Sequence, residues 1–231
     1  MSSWSDLKKY TTAVAAMVLV VPATLWTGTI KGKITTIEKK SRTRRVAKRY
    51  AGKHSQPAGK LEPIPALVIL MGKVPGFPIK KTSGKLEMVQ NNFAFKPGLL
   101  IVPINSTVEF PNEDKEFHNV FSYSRIKRFD LGRYHQGESK SVTFNKPGIG
   151  KIYCEIHEWM RAVIAVVENP FYGVADEKGN YIIKNIPKGK YQLLIWKIDH
   201  KRSIQEVEIP QQGTMELNFS LPHQNPRKSR R

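Results

Sequence analysis

The sequence feature that most constrains the fold is the stretch 153–160, which reads Tyr-Cys-Glu-Ile-His-Glu-Trp-Met. It holds Cys154, the only cysteine of the chain, followed by His157 and then Met160 at intervals of three residues. A thiolate, an imidazole and a thioether are soft or borderline ligands, and together they suit copper better than a hard cation. A trigonal copper site of the electron-transfer kind needs a second imidazole. His118, thirty-six residues before the cysteine, can supply it, so the fold must bring His118 against this loop.

The region around these residues alternates short apolar segments with turns. Cys154 ends one such segment and Arg161 begins the next, so the residues between them form a tight loop at one end of the domain. Seven or eight short strands in about 85 residues predict a Greek-key β-sandwich. The predicted strands lie at 87–95, 99–103, 107–110, 119–123, 129–132, 139–144, 149–154 and 161–167.

The motif His118-Asn119, followed far downstream by C-x2-H-x2-M, resembles the copper loop of the cupredoxins, with the short spacing of the plastocyanin/amicyanin type. The resemblance covers roughly residues 84–168 and implies one type 1 copper ion. It implies that His118, Cys154 and His157 bind the ion in one plane and that Met160 is a weak axial ligand.

The resemblance also implies roles for five neighbours of the ligands. Asn119 would pin the ligand loop or form a hydrogen bond near the thiolate, and Phe117 would flank the upstream histidine. Ile156 and Trp159 would shield the metal. Glu158 stands where loops of this type often carry proline. We expect Glu158 to loosen the loop, to place a negative charge near the copper and thus to lower the reduction potential.

A second pattern follows the predicted copper domain. From Asp176 to Tyr191 the chain reads D-x-x-G-x-Y-x-I-x-x-I-P-x-G-x-Y, which resembles the carboxypeptidase regulatory-like module, a small transthyretin-like β-sandwich. That family begins with a G-x-I-x-G-x-I strand and an apolar second strand, and such segments occur here at 28–36 and 64–72. The resemblance brings no peptidase residues with it.

This order predicts an all-β chain in which the cupredoxin domain, 80–168, is inserted into a discontinuous second sandwich. That sandwich would consist of residues 28–79 and 169–221. Two sandwiches in simple series, preceded by an extended N-terminal arm, are the alternative.

The first residues predict export. Residues 1–27 contain two lysines, an apolar run from Ala13 to Val21 and small residues with a possible cleavage site at 21–23, which is typical of a secretory signal. The run is shorter than the roughly 20 residues of a membrane span. We therefore expect a cleaved signal and a periplasmic, extracellular or cell-surface protein, with an uncleaved helix that anchors it to the inner membrane as the alternative.

The formal charge of +19 is concentrated in two segments. Residues 31–60 hold eleven Lys or Arg against one acid, and the predicted disordered tail, 222–231, holds four more basic residues. The part 38–60 has no apolar period and is predicted to be a long basic loop. It can be a solvated arm, or it can contact an acidic redox partner or anionic lipid headgroups. Export argues against nucleic acid as the partner.

The leading functional hypothesis is therefore a one-electron carrier between periplasmic or surface redox partners. No H-x-H, G-x-S-x-G, H-E-x-x-H, P-loop or C-x-x-C motif occurs, so we expect no enzymatic activity. Copper storage or delivery is one alternative, and a structural or binding β-sandwich with an accessory metal site is another. Zinc could occupy the same ligands without redox chemistry.

Overall fold

The computed structural model describes residues 27–37, 62–80 and 84–224, and every regular element in these ranges is a β-strand. The all-β prediction is thus confirmed for this part of the chain. No helix there is long and apolar enough to cross a membrane. The predicted signal or anchor helix, the basic loop 38–60 and the tail from residue 225 onward lie outside the described residues.

The strands, in chain order, are β1 (Thr27–Ile37), β2 (Leu67–Leu70), β3 (Leu86–Glu87), β4 (Val89–Gln90), β5 (Phe95–Lys96), β6 (Leu99–Pro103), β7 (Ser106–Pro111), β8 (His118–Ser124), β9 (Lys127–Tyr134), β10 (Ser139–Phe144), β11 (Gly148–Tyr153), β12 (Arg161–Val167), β13 (Tyr172–Val174), β14 (Asn180–Pro187), β15 (Gly189–Trp196), β16 (Ser203–Ile209), β17 (Gly213–Glu216) and β18 (Phe219–Pro222).

Strands β3 to β12 form one sandwich, called here the central sandwich. One sheet has the order β10-β7-β3 and the other the order β6-β12-β11-β8-β9, with the two-stranded β4-β5 ribbon beside them. Alternate residues of the facing strands fill the space between the sheets, as expected for a period of two. Phe110, Phe144 and Ile152 are among the fully buried members of this core. Cys154 and Met160 belong to the same core, so the predicted ligand loop closes one end of it.

The remaining strands form a second sandwich, called here the flanking sandwich. Strand β1 pairs antiparallel with β14 and parallel with β17 and β18. Strand β2 lies between β13 and β15 in the sheet β13-β2-β15-β16. The two strands that precede the central sandwich in the chain therefore share their sheets with strands that follow it. The domain boundaries 28–79, 80–168 and 169–221 stay a prediction.

The two sandwiches pack through a third apolar cluster. It joins Leu67 and Trp196, from the outer face of the flanking sandwich, to Val163 and Ala165 on β12 of the central sandwich. Strands β2 and β12 are covered on both faces, which explains why each reads as a continuous apolar run rather than as an alternating one. The result is four stacked sheets with three apolar layers between them.

Two expectations from the sequence differ from the structure. The segment 87–95, predicted as one strand, is divided because Asn92 and Phe93 adopt left-handed conformations with φ values of 55° and 57°. These residues turn the chain between β4 and β5 instead of extending it. His200 has no companion at ligand spacing in the sequence, which predicts a surface residue, but it is 6% exposed and its backbone bridges to His223 near the end of the described chain.

Candidate metal centre

Three side chains with metal-binding atoms meet at one end of the central sandwich. His118 is the first residue of β8, Cys154 directly follows β11, and His157 lies in the loop between β11 and β12. The Cys154 Sγ atom is 4.0 Å from Nδ1 of His118 and 3.9 Å from Nδ1 of His157. The two Nδ1 atoms are 3.0 Å apart.

These separations fit a single metal ion. Metal–nitrogen and metal–thiolate bonds of about 2.0–2.3 Å, as in zinc sites, require neighbouring ligand atoms to lie roughly 3–4 Å apart. All three measured separations fall in that range. His118 is fully buried and Cys154 is 4% exposed, whereas His157 is half-buried and is the one of the three that reaches the surface.

The loop is shaped by its own backbone hydrogen bonds. The N–H of Met160 donates to the carbonyl of His157 at 2.9 Å, and the N–H of Cys154 donates to the carbonyl of Met160 at 3.3 Å. At the base of the loop, Tyr153 and Arg161 are opposite one another in the antiparallel ladder of β11 and β12. Met160 is fully buried in the core that also contains Cys154.

Asn119 connects the loop to the neighbouring strands. Its side-chain oxygen accepts the N–H of Glu155 at 2.9 Å, and its side-chain nitrogen donates to a carboxylate oxygen of Asp130 at 2.7 Å. The same oxygen of Asp130 accepts the N–H of Gly132 at 2.9 Å. Because Asn119 is 1% exposed, this chain of bonds fixes the residue that follows the cysteine against β8 and β9.

Sequence reasoning missed Asp114. Its Oδ2 atom lies 2.8 Å from Nε2 of His118, the ring nitrogen that faces away from the thiol. The two carboxylate oxygens also accept the backbone N–H groups of Asn92, at 2.6 Å, and of Phe93, at 2.8 Å. The only signal in the sequence was an acid four residues before a candidate ligand, and Glu113 and Glu116, five and two residues before it, offered the same signal.

Phe93 was missed as well. The plane of its ring is almost perpendicular to the planes of both histidine rings. The Phe93 ring centroid is 5.8 Å from that of His118 and 5.0 Å from that of His157. Trp159, which was expected to shield the metal, lies with its ring 5.3 Å from that of His157. Phe93 and Trp159 thus both pack against His157.

The other predicted neighbours lie further outward. Phe117 is 45% exposed, and its ring contacts His135 at 3.8 Å between centroids. Ile156 is 37% exposed and Glu158 is exposed. The carboxylate that touches a candidate ligand is therefore that of Asp114, and the side chain of Glu158 faces solvent.

The electrostatics of the site favour the metal-binding forms of Cys154 and His157. Burial raises the pKa of the Cys154 thiol, but the hydrogen bond with His118 and the N–H groups of Asn119, His157 and Ile156 outweigh it, and the pKa lies below its usual value. Burial and the nearby His118 both lower the pKa of His157. A thiolate and a neutral imidazole are the forms that bind metal ions.

The upstream histidine and its acidic neighbour shift as a pair. Burial lowers the pKa of His118, but its hydrogen bonds with Cys154 and Asp114 outweigh burial and raise it. Burial raises the pKa of Asp114, yet the hydrogen bonds from Phe93 and His118 hold it below its usual value. Cys154 and Asp114 thus both favour the protonated form of His118 in the metal-free protein.

No protein-family model matches the sequence, and neither does any curated protein. Solved structures with similarity include a Cu-containing nitrite reductase (NirK) from Thermus scotoductus SA-01, with 25% identity and a TM-score of 0.35 over 42% of this chain. A purple cupredoxin from Nitrosopumilus maritimus has 22% identity and a TM-score of 0.33 over 36% of this chain. The P52G mutant of amicyanin has 18% identity and a TM-score of 0.34 over 43%.

The similar regions cover these proteins to different extents. This chain spans 28% of the nitrite reductase, 99% of the purple cupredoxin and 97% of the amicyanin mutant.

Proposed function

We propose that this chain is an exported type 1 copper protein that carries single electrons between redox partners. The observation that supports the proposal most directly is the buried group of His118, Cys154 and His157, whose three ligand atoms lie 3.0–4.0 Å apart. Two imidazoles and one thiolate are the equatorial ligands of blue-copper sites. Met160, buried in the same core, would supply a thioether sulfur as a further ligand.

A copper ion bound here would supply one-electron chemistry, alternating between Cu(I) and Cu(II). The protein contributes rigidity. Cys154 is held by the end of β11, His118 by the start of β8, and the loop that follows Cys154 by the side chain of Asn119. Ligands fixed in this way move little when the charge on the ion changes, which favours fast electron exchange.

The proposed exit for the electron is His157. It is the half-buried member of the group, and Phe93 and Trp159 surround it with apolar surface. Ile156, 37% exposed, extends that surface. A small apolar contact of this kind suits a short-lived complex between redox proteins. The proposed role is electron transfer without substrate turnover.

The proposed partner and location are supported by the charge of the chain and by its N-terminal sequence. The eleven basic residues of 31–60 would steer an acidic redox protein toward this chain, or would hold this chain at an anionic membrane surface. The apolar run near the N-terminus supports a periplasmic or cell-surface location. The flanking sandwich is proposed to be a carboxypeptidase regulatory-like module that carries the copper domain as an insertion, and the pairing of β1 and β2 with later strands supports this.

The test is a visible and EPR spectrum of the purified, oxidised protein with one equivalent of copper, beside the variant Cys154→Ser. We expect an intense thiolate-to-copper band and a narrow copper hyperfine splitting, both absent from the variant. A colourless protein that binds only Cu(I), or one that prefers zinc over copper, would refute the electron-carrier proposal. Either result would favour metal storage or delivery, or a structural site.

A further inference from the structure

We propose that Asp114 is a positioning residue of the metal centre, whose carboxylate fixes the ring of His118 and stabilises the oxidised metal more than the reduced one. The inference rests on the proposed copper site. It assigns part of the control of metal affinity and reduction potential to a residue outside the ligand loop. It is built on contacts among the β4-β5 turn, the loop before β8 and the first residue of β8.

Asp114 and Cys154 face different nitrogens of the His118 ring. Nε2 of His118 lies 2.8 Å from Oδ2 of Asp114, and Nδ1 of the same ring lies 4.0 Å from the sulfur of Cys154. An imidazole that donates one N–H to a carboxylate presents its other nitrogen, as a lone pair, to the metal. Asp114 therefore selects both the ring orientation and the tautomer that coordination requires.

Asp114 is itself held in place by hydrogen bonds with its neighbours. Its oxygens accept the N–H groups of Asn92 and Phe93, both in left-handed conformations. Its own N–H donates to the side-chain oxygen of Asn112 at 3.0 Å. Asn112 is 1% exposed, and its side-chain nitrogen donates to the backbone carbonyls of Glu116 and Tyr134. The carboxylate is thus held by the β4-β5 turn, its backbone is held by Asn112, and the side chain is only 12% exposed.

Asp114 also places a negative charge next to the ligand His118. A hydrogen bond to a carboxylate is roughly twice as strong as one to a neutral acceptor, and it raises the basicity of the imidazole. A more basic ligand, beside a fixed negative charge, stabilises Cu(II) more than Cu(I). Asp114 lies against the ligand in a protected site, whereas the charge of Glu158 faces water and is screened.

Asp114 and Glu158 form a matched pair for the experiment. The variants Asp114→Asn and Glu158→Gln each remove one negative charge with little change in volume, one at the buried bond and one on the exposed loop. Affinity for Cu(II) is measured by competition with a chelator, and the reduction potential by equilibrium titration at pH 7 and constant ionic strength.

We expect Asp114→Asn to lose about 10–100-fold in Cu(II) affinity, the range found when outer-shell partners of ligating histidines are removed. If Cu(I) affinity is unchanged, the potential rises by about 60–120 mV, since a tenfold change corresponds to 59 mV for one electron. Glu158→Gln should change the affinity by less than about twofold. Equal effects of the two substitutions, on affinity and on potential, would overturn the proposal.

Two further measurements separate this inference from the copper proposal. The first is the affinity for Co(II), followed by the thiolate-to-cobalt band. It reports how well the ligands are positioned even if the protein is no copper carrier. It should fall at least tenfold in Asp114→Asn and not in Glu158→Gln. An unchanged Co(II) affinity would refute the positioning role. If Asp114→Asn does not fold, as judged by its urea midpoint, Asp114→Glu replaces it, and unchanged Co(II) affinity and potential in that variant would refute the proposal equally.

Discussion

The contact between the two sandwiches should contribute to the free energy of unfolding of both. The residue that tests this is Leu67. It is fully buried in β2, between Val174 on β13 and Trp196 on β15, and it belongs to the apolar cluster that includes Val163 of the central sandwich. Replacing a buried leucine by alanine costs about 2.7–5 kcal/mol, because transfer energy is lost and a cavity remains. For a domain of this size, Leu67→Ala should lower Tm by roughly 5–20 °C.

The assay is urea unfolding followed by two signals, tryptophan fluorescence and the absorption of the metal-loaded site. Because the shared cluster joins the sandwiches, both signals should shift together in Leu67→Ala, although the substitution lies outside the central sandwich. Ile204→Ala, on β16, is the control, since Ile204 is 48% exposed and exposed positions usually change stability by about 0.5 kcal/mol or less. A loss below about 1 kcal/mol, or an unshifted metal signal beside a shifted fluorescence signal, would refute the reasoning.

Three other predictions concern the loop, the thiol and a close backbone approach. Asn119→Ala removes the bonds to the ligand loop and to Asp130, so urea unfolding should show a loss of about 1–3 kcal/mol; a change within 0.5 kcal/mol would mean that the loop holds its shape unaided. In the metal-free protein the pKa of Cys154 is lower when folded than the usual 9.0, so the unfolded chain binds the extra proton and the free energy of unfolding should rise with pH up to about 9. That rise should be missing from Cys154→Ser. Finally, a Cβ on Gly32 would lie 1.8 Å from a backbone carbonyl oxygen, so Gly32→Ala should lower the free energy of unfolding by about 3 kcal/mol or more. Gly84→Ala is the control, because a Cβ there would have nothing within 4 Å, and it should lower that free energy far less in the same urea experiment.

The parts of the fold that follow from local pattern were predictable from the sequence. The bounds of β6, β10 and β12 agree with the predicted segments 99–103, 139–144 and 161–167, because each is an apolar or alternating run between turn residues. The candidate ligands were predictable for a similar reason. Their spacing around Cys154 is local, and one upstream histidine in a loop-to-strand position completes the set.

What could not be predicted depends on contacts between distant segments. The environment of His118 includes Phe93 and Asp114, which are brought together only because residues 92 and 93 turn the chain through left-handed conformations. Nothing in an Asn-Asn-Phe sequence requires that turn to face the loop before β8. His200 was misjudged because its burial arises from packing near His223, at the end of the described chain, and no local pattern encodes that approach.

The pairing of β1 has a consequence for the order in which the chain folds. During synthesis from the N-terminus, β1 must wait for β18, whose Phe219 pairs with Ile34. At about 5–20 residues per second this delay is roughly 10–40 s. The central sandwich, by contrast, has all its strands once Val167 has been made, and pairings between distant segments are the slow ones. We therefore expect the metal-binding half to mature first and to provide the surface on which the two ends of the chain later meet.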